Sequence, residues 1–108
     1  MVMKEDRWYN LVDKVAVPCS IDKINWKDDN HIASDILEGN VVVSTVFLYL
    51  DHNWMNDGKP LLFETMVFGG VYDNFQERCS TYDEAIRQHR TVLRMVQEEY
   101  APIEGENQ

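Results

Sequence analysis

The feature that most constrains the fold is the run Val41-Val42-Val43-Ser44-Thr45-Val46-Phe47-Leu48-Tyr49-Leu50. β-branched and aromatic side chains dominate it, and these fit a pleated sheet better than a helix. The run is apolar at odd and even positions alike. It therefore reads as a central strand covered, at least in part, on both faces. Residues 61–68 form a second such run, closed by Gly69-Gly70, and read as its antiparallel partner. Residues 31–37 supply a strand before the first run. The connection is Glu38-Gly39-Asn40, where Gly39 is free to take positive φ. Residues 75–79, after the turn Tyr72-Asp73-Asn74, read as the last strand of the meander.

A helix follows. Thr81-Tyr82-Asp83-Glu84 has the capping-box pattern, and Asp83 and Glu84 suit the positive end of the helix dipole. Ala85, Ile86, His89, Val92, Leu93, Val96 and Tyr100 then recur at helical spacing and define the face that packs on the sheet. Before the meander, residues 7–19 read as a hairpin turning at Asp13-Lys14 or as two extended pieces, with Pro18 limiting further pairing. Ser20 opens a short helical segment that ends by Lys27-Asp28-Asp29-Asn30. Strands run together and one long helix follows, which is an α+β layout. The helix covers one sheet face; the N-terminal segment, a second subunit or a partner must cover the other.

With 108 residues the chain has room for one core, placed at residues 1–101. Pro102 stops the helix, and residues 102–108 read as a flexible acidic tail. Hydrophobic residues make up 44%, a globular composition. No apolar run reaches the length of a membrane span, and the first residues lack the apolar core of a secretory signal, so the expected location is cytoplasmic. Ten basic against nineteen acidic residues give a net charge of −9. That sign repels phosphate backbones, which disfavours direct nucleic-acid binding. It fits either a basic protein partner or plain solubility. Cys19 and Cys79 stand far apart in sequence and form no C-x-x-C pair. A reducing compartment would leave them as thiols rather than as a bridge.

The strings Val43-Ser44-Thr45-Val46-Phe47-Leu48, Leu50-Asp51-His52-Asn53, residues 60–70 (PLLFETMVFGG) and Glu77-Arg78-Cys79-Ser80-Thr81-Tyr82-Asp83-Glu84-Ala85 together resemble a family of small phage and prophage proteins of no assigned activity. The likeness spans roughly residues 41–89. Where this chain has Tyr49, Cys79 and Tyr82, that family usually carries glycine, tyrosine and tryptophan. The resemblance implies a phage-type origin and a host-cell setting, and it transfers no catalytic residue.

Candidate sites follow from residue type and position, each with two readings. Asp51-His52-Asn53 leaves a strand end and enters the loop 51–60, where a carboxylate could orient His52 as a general base. The alternative is a turn held by side-chain bonds to backbone amides. Glu64 interrupts an apolar strand; it is either an acid–base group or the anchor of Arg78. Trp54 and Met55, among polar loop residues including Asp57, are either exposed binding anchors or a cover folded on the sheet. Arg87, Arg90 and Arg94 line one helix side. They would grip an anion or an acidic partner, or pair with Asp83 and Glu98 at i,i+4 spacing. His89, on the apolar helix face, reads as a bonded core histidine. No metal spacing, phosphate loop or nucleophile motif is present.

The resulting expectation is a non-enzymatic, phage-type accessory protein without a cofactor. It would bind a host protein through Asp51, His52, Asn53, Trp54, Met55 and Asp57, and inhibition of a defence or nucleic-acid-processing enzyme is the sharpest version. A homodimer closing the second sheet face fits the same picture. The alternative is a small-molecule-binding or hydrolytic domain that uses Asp51, His52 and Glu64 together.

Overall fold

The computed structural model describes residues 7–27, 29–55 and 57–100. The expected tail at 102–108 lies outside them, as do Asp28 and Asn56. Strands β1 (Trp8–Val12) and β2 (Val15–Cys19) form a two-stranded hairpin. Asp13 and Lys14 both have positive φ, the backbone a two-residue hairpin turn requires. Four more strands, β3 (His31–Leu37), β4 (Val41–Phe47), β5 (Phe63–Phe68) and β6 (Gln76–Cys79), make an antiparallel meander in chain order. One helix, α1 (Tyr82–Tyr100), completes an α+β fold.

Alternation along the strands decides what is buried. Val41, Val43, Thr45 and Phe47 of β4 face α1, as do Phe63, Thr65 and Val67 of β5. Two apolar clusters result. Val41, Val43, Val67, Val92 and Val96 form an aliphatic one. Phe47, Tyr49, Leu62, Phe63 and Ala85 form a largely aromatic one, joined by Trp8, Tyr9, Leu11 and Ala16 of the hairpin. The hairpin thus lies on the same side of the sheet as the helix, beyond its N-terminal end.

This corrects the expectation that β4 is covered on both faces. The cross-strand row Ile36–Val42–Phe68 points away from the helix, with Ile36 75% and Phe68 45% exposed. No described residue covers this second face, because the hairpin that could have covered it is committed to the first.

The strand in β4 also stops earlier than its composition suggests. It ends at Phe47, and Tyr49 takes φ 66°, the left-handed region. The kink carries the chain from one partner to another. Leu48 N–H still donates to the Leu62 carbonyl of the β5 side, at 2.8 Å. One residue later the Tyr49 carbonyl accepts from Tyr9 N–H at 2.7 Å, and Asp51 N–H donates to the Arg7 carbonyl at 2.8 Å. Apolar composition alone does not reveal such a change of partner.

The helix begins as its sequence directs. Thr81 Oγ1 accepts from Glu84 N–H, and the Glu84 carboxylate accepts from Thr81 N–H and Ser80 N–H, all at 3.1 Å. That is a reciprocal capping box. Ser20 behaves otherwise: the segment it opens is one 3-10 turn, Ile21–Lys23, and its hydroxyl donates to Asp22 instead of capping the backbone.

Candidate functional site

Loop 51–60 is organised by two side chains. Asp51 is 5% exposed, and one carboxylate oxygen accepts from Asn53 N–H at 2.7 Å and Leu61 N–H at 2.9 Å. It therefore ties both ends of the loop together. Asn53 donates its amide to the carbonyls of Asp57 and Lys59, at 2.6 and 2.9 Å. A loop whose ends and middle are held this way loses little freedom on meeting a partner.

Asp51 does not orient His52. The His52 ring nitrogen Nδ1 donates instead to the Leu50 carbonyl at 2.7 Å, which leaves the ring beside Trp54 with centroids 5.2 Å apart. The Arg7 guanidinium lies 4.4 Å from the Trp54 ring centroid and also donates to the Asp51 carbonyl. Trp54 is thus gripped on its flanks yet 60% exposed, and Met55 is 80% exposed. They do not fold back as a cover. Asp57 is exposed as well.

Glu64 belongs elsewhere. It stands on the open face of β5, opposite Arg78 on β6, whose Nε donates to it at 3.0 Å. Gln76 donates to the same oxygen. The anchoring reading is the observed one, and the bonds that Asp51, His52 and Glu64 make go to separate partners. The geometry brings no acid–base set together from them.

The arginine stripe is exposed, and among the described residues Arg87, Arg90 and Arg94 form no ion pair within 4.0 Å. The expected i,i+4 pairs with Asp83 and Glu98 do not form. Long side chains on an exposed helix gain little from such a contact and lose rotamer freedom to hold it. Cys19 and Cys79 are both free thiols. Burial, with Glu84 and Glu77 nearby, pushes the Cys79 thiol up to about 11, so it is a weak nucleophile near neutrality.

The feature the sequence reading missed is a polar layer inside the core. His89 is 4% exposed and bonds at both ring nitrogens: Nδ1 to Thr45 Oγ1 at 2.7 Å, Nε2 to the Asp35 carboxylate at 2.8 Å. Thr45 Oγ1 bonds Thr65 Oγ1 at 2.6 Å, and Thr65 donates to Gln88 Oε1 at 3.1 Å. His89 was legible as a bonded core residue, but its partners were not. Thr45 and Thr65 look like ordinary strand residues, and only the register that sets Thr45 opposite Thr65 makes them a pair. Carboxylate, imidazole and hydroxyl stand in the order of a hydrolytic triad, but Thr45 is fully buried and no substrate reaches it. The layer is structural.

The chain matches no known family model, no curated protein sequence and no solved structure.

Proposed function

We propose that this protein is a non-enzymatic binding module whose recognition element is loop 51–60. The observation that carries the reading is the exposed Trp54–Met55 pair on a loop fixed by Asp51 and Asn53. Large apolar side chains in water are otherwise a liability, and a rigid mount makes them effective anchors. Asp57 and the chain's net charge of −9 favour a partner with a basic rim around an apolar pocket. In the phage-type setting, the partner is a host protein, and an enzyme with a basic nucleic-acid groove has the complementary charge. The loop competes better than the Asp51, His52 and Glu64 alternative because those three groups do not converge.

Affinity capture from host lysate tests this, with wild type, Trp54→Ala/Met55→Ala and His52→Ala as baits. A stoichiometric host protein held by the wild type and lost with the double substitution is expected. Both side chains are more than half exposed and outside the core, so the substitution, which removes the Arg7–Trp54 contact, should cost no more than about 1 kcal/mol and leave the chain folded. Retention of the same protein by the double variant would refute the assignment of the loop.

A further inference from the structure

Between the hairpin, the segment after the first 3-10 turn and the start of β3 lies a cavity of about 350 Å³. Its apolar wall is Leu11, Ile32, Phe47 and Tyr49. Lys27 stands at its edge, and none of Asp51, His52 or Glu64 lines it. The volume lies at the lower end of those that hold small molecules, enough for one or two rings.

Tyr49 is the distinctive group. It is 7% exposed and adopts φ 66°, a conformation that costs any residue with a Cβ. Its ring packs against Phe47 and Trp26, both with centroids at 4.8 Å. Its hydroxyl oxygen accepts from Lys27 N–H at 3.2 Å, while its own O–H has no acceptor among the described residues. A nearly buried donor is therefore left to serve whatever occupies the cavity. Several other polar groups of the lining are engaged. Asn30 donates to the Phe47 carbonyl, and Asn10 bonds Asn25 and Lys23. Asp29 pairs with His31, whose backbone amide chiefly holds its carboxyl below the ordinary range. Lys14 lies over the Tyr82 ring at 5.5 Å. Beside these stand the Tyr49 hydroxyl and Lys27, which lines the cavity and whose backbone N–H, rather than its ammonium, is bonded to that hydroxyl, on one edge of an apolar cleft in an otherwise acidic chain.

We infer that this cavity binds a compact aromatic carboxylate. The ring lies against Ile32, Leu11 and Phe47, and the acid group accepts from Tyr49 O–H and Lys27 Nζ. This site is separate from loop 51–60, so the two readings stand or fall independently.

The test is titration of the full chain with naphthoate, followed by two-dimensional amide NMR. Saturable shifts at Lys27, Ile32, Phe47 and Tyr49 are expected. Lys27→Gln, which changes only an exposed side chain, should weaken binding about tenfold. Tyr49→Phe, which keeps the ring, should weaken it about fivefold. Naphthalenemethanol, with the same body and no charge, should bind about tenfold more weakly. Trp54→Ala/Met55→Ala should leave the affinity unchanged. Absence of saturation at millimolar probe would overturn the inference. So would equal affinity for acid and alcohol, or shifts centred on Ile36 and Phe68, which would mark adsorption to the open sheet face.

Discussion

Replacing Thr45 with valine tests whether the polar layer carries stability. The side chains are nearly the same volume, so no cavity opens and the change isolates the hydroxyl. That hydroxyl makes two bonds inside the protein, to Thr65 at 2.6 Å and to His89 at 2.7 Å. Each is worth about 0.5–1.5 kcal/mol net, and a buried group stranded without a partner costs about 1–3 kcal/mol. His89 Nδ1, with 4% of its residue exposed, is such a group once Thr45 changes. The expected loss is roughly 2–4 kcal/mol, a large share of the ~5–15 kcal/mol typical of a domain. Urea unfolding followed by far-UV circular dichroism measures it. With m of about 2 kcal/mol/M, in the range of small domains, the midpoint should fall by roughly 1–2 M at constant m. Thr45→Ser keeps the hydroxyl and should cost only about 1 kcal/mol for one methyl group. Adding His89→Leu to Thr45→Val removes both ends of the bond. The double loss should fall short of the summed single losses by about 1–2 kcal/mol. The reasoning fails if valine is no worse than serine at position 45, or if the two losses simply add.

Two other outcomes follow from the helix start. Glu84 is held below the usual 4.5, first by the Ser80 amide and then by the Thr81 amide. A depressed folded value means that its stabilisation is complete above 4.5 and fades as pH falls through that lower value. Glu84→Gln should therefore be less stable at pH 7 by no more than about 1 kcal/mol, since the group is well solvated, and thermal melts of the two proteins should converge in acid. Cys79, raised to about 11 by burial and then by Glu84 and Glu77, should react slowly with iodoacetamide at pH 8. Mass-resolved labelling should show its rate climbing well beyond the ~8.5 of a free cysteine, and half-maximal reaction near that free value would contradict the buried placement.

Much of the architecture was legible because its signals are local. The box Thr81 to Glu84 fixed where the helix begins, and the spacing of Ala85, His89, Val92 and Val96 fixed which side it buries. Val41 to Phe47 announced a strand through β-branching. What stayed hidden depends on groups distant in the chain. The alternation of β4 could not say that its second face stays open, because that follows from where the hairpin docks. Tyr49 reads as a strand residue, and its positive φ answers to Tyr9 and Arg7, some forty positions earlier. At the candidate site, Asp51 and Asn53 were recognisable as turn formers, and Trp54 and Met55 as anchors or a cover. Their exposure was settled by Arg7, whose position on Trp54 no local pattern contains.

The layer of Thr45, Thr65 and His89 lies between the aliphatic and the aromatic clusters, and this gives the core an address system. Helix and strands here are built from residues that would pack nearly as well one step along: Val92 and Val96 are one turn apart, and Val41 and Val43 repeat along β4. Sliding α1 by one turn, ~5.4 Å, would push both ring nitrogens of His89 among valines. Sliding β4 against β5 by two residues would part the two threonines. Each misplacement strands buried donors or acceptors at several kcal/mol, whereas an all-apolar core would tolerate it at little cost. Three polar side chains at the middle of the molecule thus select one alignment of sheet and helix from several that hydrophobicity alone would accept.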